Sequence, residues 1–549
     1  MPTHSKTVCH EIRPAFVLMA LMIQGPVAYY YSIKCNVPIR ETGVGGLGAH
    51  RMPEVSPACP DSMAVSRQFT VGDHPLPENL TRREFLRALG VAGAGVSLAA
   101  AAPRSALAAQ AAPTPAAIPS DNKPVTTPPR FWWVKGVAQP TTEVDWNATK
   151  RFSEWQSARG SLRQYRGAEV DDRLIKRQKE NLQRWEAENR PGYSTKDVAL
   201  ESAAGISRPI LNLRGPQQSL TPKERGVSRY EGSPDDNSRV VTAALRQLGA
   251  AKVGFVELKD ATTMKLIYDQ EPAPSKRPII FDEVEEGGEE RDRLVIPKKA
   301  RWAVVFSMQM SGETMKCSPS RLGSITTSVT DFRMWNALNM AHEFFRALGW
   351  QSYGPTEANG LGIYPALAVM AGLGELSRLN RLITPEYGPM VRLAMLITDL
   401  PLVPTSPIDF GVMRFCRDCR LCATTCPPRA LSVERDPTWQ VKGPWNNAGH
   451  RAYFEDSIAC RNFWSDCGTD CGLCFATCPY AQDDKASLHQ ILKATISNTP
   501  ALNGLIVLGT DLVYPNEPDG KPLKDPDRWW HNTNFPEYGI NTMQGERRT

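Results

Sequence analysis

Between residues 230 and 350 the apolar positions switch between two spacings, and the switch predicts the elements. Ser233 and Pro234 stand before Val240, Val241, Ala244, Leu245 and Leu248, which recur at helical spacing until Gly249 stops the run. Residues 253–258 (VGFVEL) and 302–308 (WAVVFSM) are short continuous apolar runs of strand length. A second helix is expected from about Asp331 to Leu348, with a stripe of Phe332, Trp335, Leu338, Ala341, Phe345 and Leu348 and with Gly349 as its C-cap. The acidic, glycine-containing run 281–293 between the strands reads as a solvated loop, and the highly charged stretch 171–190 as a solvated helix. AGLGELSR (371–378) carries Gly372, Gly374 and Glu375 in a close-packed or loop-lining segment; no G-x-G-x-x-G follows a strand, so no nucleotide site is assigned.

Upstream the pattern is different. Residues 15–23 (AFVLMALMI) are apolar but too short to span a bilayer, which needs about 20 such residues. Thr81, Arg82, Arg83, Glu84, Phe85 and Leu86 precede a soft Gly/Ala stretch at 88–102, and Ala106, Leu107 and Ala108 offer a small-residue cleavage site. Together these read as a twin-arginine export signal. Eighty residues precede the paired arginines, so residues 1–62 are taken as a non-native extension and Met63 as the true start. A Pro/Ala linker, 109–130, follows the signal.

Composition adds little beyond size. The 549 residues suffice for two or three domains, and 41% hydrophobic with 22% charged residues is ordinary for a soluble globular chain. A formal charge of +6 is small for this length and argues against a nucleic-acid partner.

The cysteines decide the chemistry. Nine of thirteen lie between Phe415 and Tyr480. Cys416, Cys419, Cys422 and Cys426 form C-x2-C-x2-C-x3-C-P, and Cys471, Cys474 and Cys478 form C-x2-C-x3-C-P, with Cys460 and Cys467 upstream. This is the bacterial ferredoxin spacing for [4Fe–4S] clusters, in which the fourth cysteine of one run ligates the other cluster. One cluster then takes Cys416, Cys419, Cys422 and Cys478; the other takes Cys426, Cys471, Cys474 and either Cys460 or Cys467. A disulfide framework would spread its cysteines along the chain, and zinc does not call for the doubled run.

The order of these features resembles the reductive dehalogenases, the corrinoid and iron–sulfur enzymes of organohalide respiration. The matching stretches are TRREFL, RYEGSPDDNSR, LGAAKVGFVEL, FFRALGW, AGLGELSR, ITPEYGPMVR, TDLPL, both cysteine runs and the late Trp529-Trp530. The resemblance implies an α+β fold: a nitroreductase-like α/β corrinoid-binding core at 226–405 and a C-terminal two-cluster ferredoxin-like module at 406–485. The remaining parts would be the extension 1–62, the signal 63–108, a linker and N-terminal region 109–225, and a segment 486–549 packing on the core. It also implies Cys460 as the remote ligand, because the family places C-x3-W before the second run and here Cys460 precedes Trp464. No D-x-H-x-x-G motif is present, so the corrinoid (a cobalamin) is expected base-off, with His342 and His450 structural.

The activity implied is reductive cleavage of a carbon–halogen bond in a small organohalide, with electrons passing from an upstream donor through the two clusters to cobalt. Arg392 corresponds to the family's basic residue and Asn359 to its polar neighbour. The expected tyrosine proton donor is missing: Phe332 stands in its region, and Tyr353 and Tyr364 lie further along. A small integral-membrane anchor subunit and a peripheral place, periplasmic or on the outer face of the cytoplasmic membrane, are further implications. Two other readings are an epoxyqueuosine-reductase-like enzyme and an exported two-cluster electron carrier without corrinoid.

Overall fold

The computed structural model describes Thr70–Val71, His74–Pro75 and residues 130–531, apart from 206–208, 273, 482–486, 500–502, 504–505 and 508–519. The extension, the signal at 63–108 and the linker up to 129 thus lie outside the described residues, save those two short strands. Residues Met1–Gln68 and Phe69–Thr549 form separate units, and the central sheet, its helices and the cysteine segment all belong to the second.

A charged helix, α1 (Ala168–Ala187), begins near the predicted stretch. It is not solvated all round: Arg177 pairs with Asp466, and Leu182 packs against the Gly468 backbone. Helix α2 (Pro234–Gln247) starts where the sequence places it, the Ser233 hydroxyl accepting the Asp236 N–H at 3.2 Å. Strand β1 (Lys252–Glu257) and strand β2 (Trp302–Gln309) occupy the two apolar runs.

Between them, the acidic run is only partly a loop. Ile279–Asp282 pairs in parallel with Leu294–Pro297, and Gly288–Glu289 pairs antiparallel with the latter. The buried Ile279, Leu294 and Ile296 pull the ends of this segment into a small sheet, leaving most of its acids at the surface.

Helix α3 is longer than predicted, Arg321–Leu348, capped by the Ser320 hydroxyl on the Gly323 N–H at 3.1 Å and closed by Gly349 at φ +89°. Its first ten residues (RLGSITTSVT) are polar and β-branched, which hid the helical period. Its buried face is also rotated from the predicted stripe. Asp331, Met334 and His342 are buried, while Phe332 and Leu348 are only partly so. Beyond it, β3 (Ser352–Tyr353) is followed by the helix Tyr364–Met370 and by β4 (Val391–Thr398), a strand the apolar pattern had not singled out.

The four strands form one antiparallel sheet in the order β1-β2-β4-β3. Its two faces are both covered. Phe255, Val304, Phe306, Ala394 and Leu396 face α2 and α3, against Val241, Leu245, Trp335, Leu338 and Phe345. Val256, Ala303, Val305, Met395 and Ile397 face the helix Tyr364–Met370 through Leu367 and Ala368. Strands buried on both faces read as continuous apolar runs, because side chains of either parity need apolar partners. The fold is mixed α and β.

The cysteine segment builds its own core. Helix α4 (Val412–Asp418) packs Phe415 edge-on to Tyr480, ring centroids 5.6 Å apart, with Phe410, Leu421 and Ile496 around them. The first residues of the described body join it: Trp133 and Val134 lie in this core, and Lys135–Gly136 pairs with Ile408–Asp409. Helix α5 (Ser457–Cys467) sits under α1. At the C-terminal end Trp530 donates to Asp197 Oδ1 at 2.8 Å and Trp529 to Thr314 Oγ1 at 3.2 Å, fastening that segment to the rest.

Candidate iron–sulfur and active site

All ten described cysteines are free thiols. Eight of them lie near one another, with Cys474 a neighbour of Cys422 and Cys478 as well as of Cys426. Cys416 lies on α4, Cys419 is its C-cap, and Cys422 sits in the short helix Leu421–Thr424. Burial pushes Cys416 up to about 11 and Cys419 to about 12, and Cys422 is raised first by burial and then by Cys419, Cys416 and Cys478. Those neighbours place Cys478 with the first run. Cys426 belongs elsewhere: Cys474 is pushed to about 12 by burial and then by Cys426, while Cys460 is raised by burial, Glu455, Cys474 and Cys426. Cys471 feels Cys474 most among its charged neighbours, then Cys467 and then Cys460.

Cys467, also reachable from the sequence, is engaged differently. Its thiol donates to Thr469 O at 3.2 Å, and its carbonyl accepts the Tyr193 hydroxyl at 2.7 Å. It is the last residue of α5, which Gly468 caps, and Cys460, about two turns earlier, faces Cys426 and Cys474.

Buried thiols raised this far stay protonated at neutral pH unless a cation replaces water as their partner. Among the described residues no three His, Cys, Asp or Glu side chains are placed to chelate one ion. Sets of four cysteines are the donor sets that [4Fe–4S] clusters use. The Ala430 N–H already donates to Cys426 Sγ at 3.3 Å, a bond that favours the thiolate.

Beside the second group opens a cavity of about 900 Å³, lined among others by Arg159, Arg461, Trp464, Ser465, Thr469 and Asp470. Arg461 stacks over the Trp464 ring at 4.3 Å. Neither Arg159 nor Arg461 makes an ion pair among the described residues, and basic side chains outnumber the acids Asp171 and Asp470 along the wall.

Asp470 links this cavity to Arg392. Burial raises its carboxyl to about 6, opposed by Arg392 and by a hydrogen bond to Thr327. Arg392 is the second residue of β4, opposite Met308 of β2, and its parity is that of Ala394 and Leu396, so it points to α3. There Asp331 receives it in a two-toothed ion pair, Nε to Oδ1 at 2.6 Å and Nη2 to Oδ2 at 3.0 Å. Arg392 is therefore no surface arginine, and its partner was missed. The signal was present: Asp331 precedes Trp335 and Leu338 by four and seven residues, so an acid stands on the apolar arc of a helix.

The other sequence candidates separate. Asn359 lies in a loop at φ +65° and makes no hydrogen bond with Arg392. Tyr353 is fixed, its hydroxyl accepting Gly287 N–H at 2.9 Å and donating to Gln351. Tyr364 has no hydrogen-bond partner among the described residues. Burial raises its phenol well above the usual range, with Glu154, Tyr268, Arg159 and Arg392 as its charged and polar neighbours. Glu154, buried on the turn Glu154–Gln156, is itself raised to about 8 by burial, with Arg159 opposing. Phe332, in the region of the missing tyrosine, has no proton to give, as its sequence implies. His342 is packed under Gly215 and Gly354 and bonded to Ser352 Oγ at 2.8 Å; burial lowers it to about 4. His450 lies edge-on to Phe454 and is lowered likewise. Both are structural.

Comparison with known proteins gives the family. The family model described as reductive dehalogenase subunit matches residues 129–215 and 211–402. The chain belongs to the reductive dehalogenase family. A tetrachloroethene reductive dehalogenase of Sulfurospirillum multivorans is 34% identical over 287 residues, 51% of this chain and 56% of that protein. The chain thus spans just over half of that relative. A chloroethene reductive dehalogenase of Dehalococcoides mccartyi is 26% identical over 538 residues, covering 84% of this chain and 98% of that one. A solved catabolic reductive dehalogenase shares the fold at a TM-score of 0.50 and 21% identity, over 72% of this chain and 50% of the other. An epoxyqueuosine reductase of Lactococcus garvieae matches 66 residues only, 12% of this chain.

Proposed function

We propose that this protein is a corrinoid-dependent reductive dehalogenase: an organohalide takes up two electrons and a proton, its carbon–halogen bond breaks, and halide leaves. The observation that carries the reading is the adjacency of two four-thiol groups, a cavity of about 900 Å³ and, through Asp470, a half-buried arginine. A bare electron carrier needs neither the cavity nor the α/β body. The short match to epoxyqueuosine reductase covers too little of the chain to displace this reading.

In this reading Cys416, Cys419, Cys422 and Cys478 hold one [4Fe–4S] cluster, and Cys426, Cys460, Cys471 and Cys474 the other. The module 406–485 is ferredoxin-like, and the sheet with its helices is the nitroreductase-like core. Arg159, Arg461 and Ser465 would hold a corrinoid, whose amide rim and nucleotide phosphate suit a positively charged, partly aromatic wall. Bound there base-off, the corrinoid would supply a low-potential nucleophilic metal for the carbon–halogen bond. The chain's own residues do the rest. Asp331 fixes the Arg392 fork so that its positive charge faces the site and favours the departing halide. Tyr364 keeps its proton at neutral pH and gives it to the carbon, with Asn359 as a polar neighbour and buried Glu154 as the proton reserve behind it. The body of the sheet excludes water.

Supply and location complete the proposal. The arginines at 82 and 83 direct export of the folded, cluster-loaded protein, and a small integral-membrane subunit anchors it at the outer face, where an upstream donor reduces it. No helix among the described residues is long and apolar enough to cross a membrane. The test is anaerobic reconstitution, with iron and cobalt determined per chain and halide release measured from brominated and chlorinated phenols, alkenes and alkanes under a reduced viologen. Eight irons, one cobalt and halide release with formation of the hydrogenated product are expected. Eight irons without retained cobalt would leave an electron carrier.

A further inference from the structure

The segment AGLGELSR packs against the cysteine module, and its last residue stands out. Glu375–Leu376 pairs with Leu382–Ile383, and Gly374 lies so close to the Ile383 carbonyl that any Cβ would fall 2.1 Å from it. The tight hairpin presents Arg378 and Arg381 from one turn, while Glu375 accepts the Phe410 N–H at 2.6 Å and the Val412 N–H at 3.2 Å, tying the hairpin to the start of α4.

Arg378 is 0% exposed. Its Nε donates to Cys416 O and Cys419 O, each at 3.0 Å. Its Nη1 donates to Ser432 O at 2.7 Å and to Glu434 O at 2.5 Å, and its Nη2 to Cys416 O. The Tyr453 ring covers the guanidinium at 4.1 Å. Every hydrogen bond is to a neutral carbonyl, and no carboxylate among the described residues pairs with it. Arg381 is the contrast: it pairs with Glu455 at 2.8 Å, beside Cys460 and Cys474. One hairpin thus sets a cation with no ion-pair partner against the first cysteine group, where Glu375 and Asp418 are the nearby acids, and an ion-paired one against the second, where Arg461 also faces Cys460.

A fully buried charge without a counter-charge is costly. Four thiolates around a [4Fe–4S] core carry net negative charge, and gain one more on reduction. We propose that Arg378 is a positioning residue whose unpaired charge makes the cluster of Cys416, Cys419, Cys422 and Cys478 easier to reduce than it would be without that charge. The physical reason is that a nearby buried cation stabilises the more negative, reduced form, whereas the Arg381–Glu455 pair largely cancels at its own cluster. This inference rests on the two-cluster reading above.

The test is an anaerobic redox titration of the full cluster-loaded protein followed by electron paramagnetic resonance, with iron counted in each variant. The parent must first give about eight irons and two resolved midpoints; without them the two-cluster reading fails, separately from this proposal. Arg378→Met is expected to lower one midpoint and leave the other in place, Arg378→Lys to restore most of the shift, and Glu455→Gln, which unmasks Arg381, to raise the other midpoint. Unchanged midpoints in Arg378→Met at full iron content, or equal shifts of both, would overturn the proposal. If Arg378→Met fails to load its cluster, Glu455→Gln decides: a second cluster no easier to reduce than in the parent refutes the electrostatic argument.

Discussion

The Asp331–Arg392 pair joins α3 to the central sheet at the edge of the site, and its strength can be worked from its geometry. Two charges about 4 Å apart attract by about 4 kcal/mol at an effective dielectric near 20. Desolvation of the Asp331 carboxylate, 12% exposed, offsets part of that, and the guanidinium, a quarter exposed, is partly screened. A coupling of about 2 kcal/mol remains. Asp331→Asn or Arg392→Gln alone strands a half-buried partner and should cost about 3 kcal/mol, whereas the double variant should cost about 4 kcal/mol, less than the two together. For a chain of this size each kcal/mol moves Tm by about 2 °C, so the cycle is readable in anaerobic melts of the loaded protein. Halide release adds a second readout. Arg392→Gln should lose about 10²–10³ in kcat, as for other lost charge-stabilising donors. Asp331→Asn, which frees the fork without removing its charge, should lose less, about tenfold to a hundredfold. Additivity of the two substitutions within about 0.5 kcal/mol would show that the pair does not form in solution.

Other outcomes follow from the same geometry. Cys460→Ser should remove one cluster and about half of the iron, while Cys467→Ser should keep both clusters; iron analysis with spectroscopy of the reduced protein separates them. Tyr364→Phe should depress turnover by about 10²–10⁴ without changing cobalt or iron content, and full activity in that variant would remove Tyr364 as donor. Glu154 titrates near 8 in the fold against 4.5 when unfolded, so the folded state holds the extra proton between those values and stability falls as pH rises from 4.5 to 8. Melts across that range should show Glu154→Gln losing less stability over it than the parent; parallel curves would refute the assignment.

The local patterns were legible because each depends on near neighbours. The cysteine runs mark a candidate cluster-binding loop, since thiolates three residues apart on a turn can reach one cube. Gly349 and Ser233 mark helix ends, because caps are local hydrogen bonds. The family order of short stretches, from RYEGSPDDNSR to TDLPL, pointed to the fold before any contact was known.

Other features were decided only by packing. The choice between Cys460 and Cys467 depends on which thiol faces Cys426 and Cys474 across a loop, and both lie on one helix within two turns of each other. The partner of Arg392 comes from a helix 61 residues earlier, brought opposite by strand parity and by the rotation of α3 that buries Asp331 and turns Phe332 outward. Burial at Glu154 and Tyr364 is likewise set by segments far apart in the chain. Arg378 reads as an ordinary arginine after a serine; only the fold buries it, leaves it without a carboxylate partner among the described residues and seats it on the carbonyls of Cys416 and Cys419. Charge in a protein interior takes its meaning from what surrounds it in space, and that is the part a linear pattern does not contain.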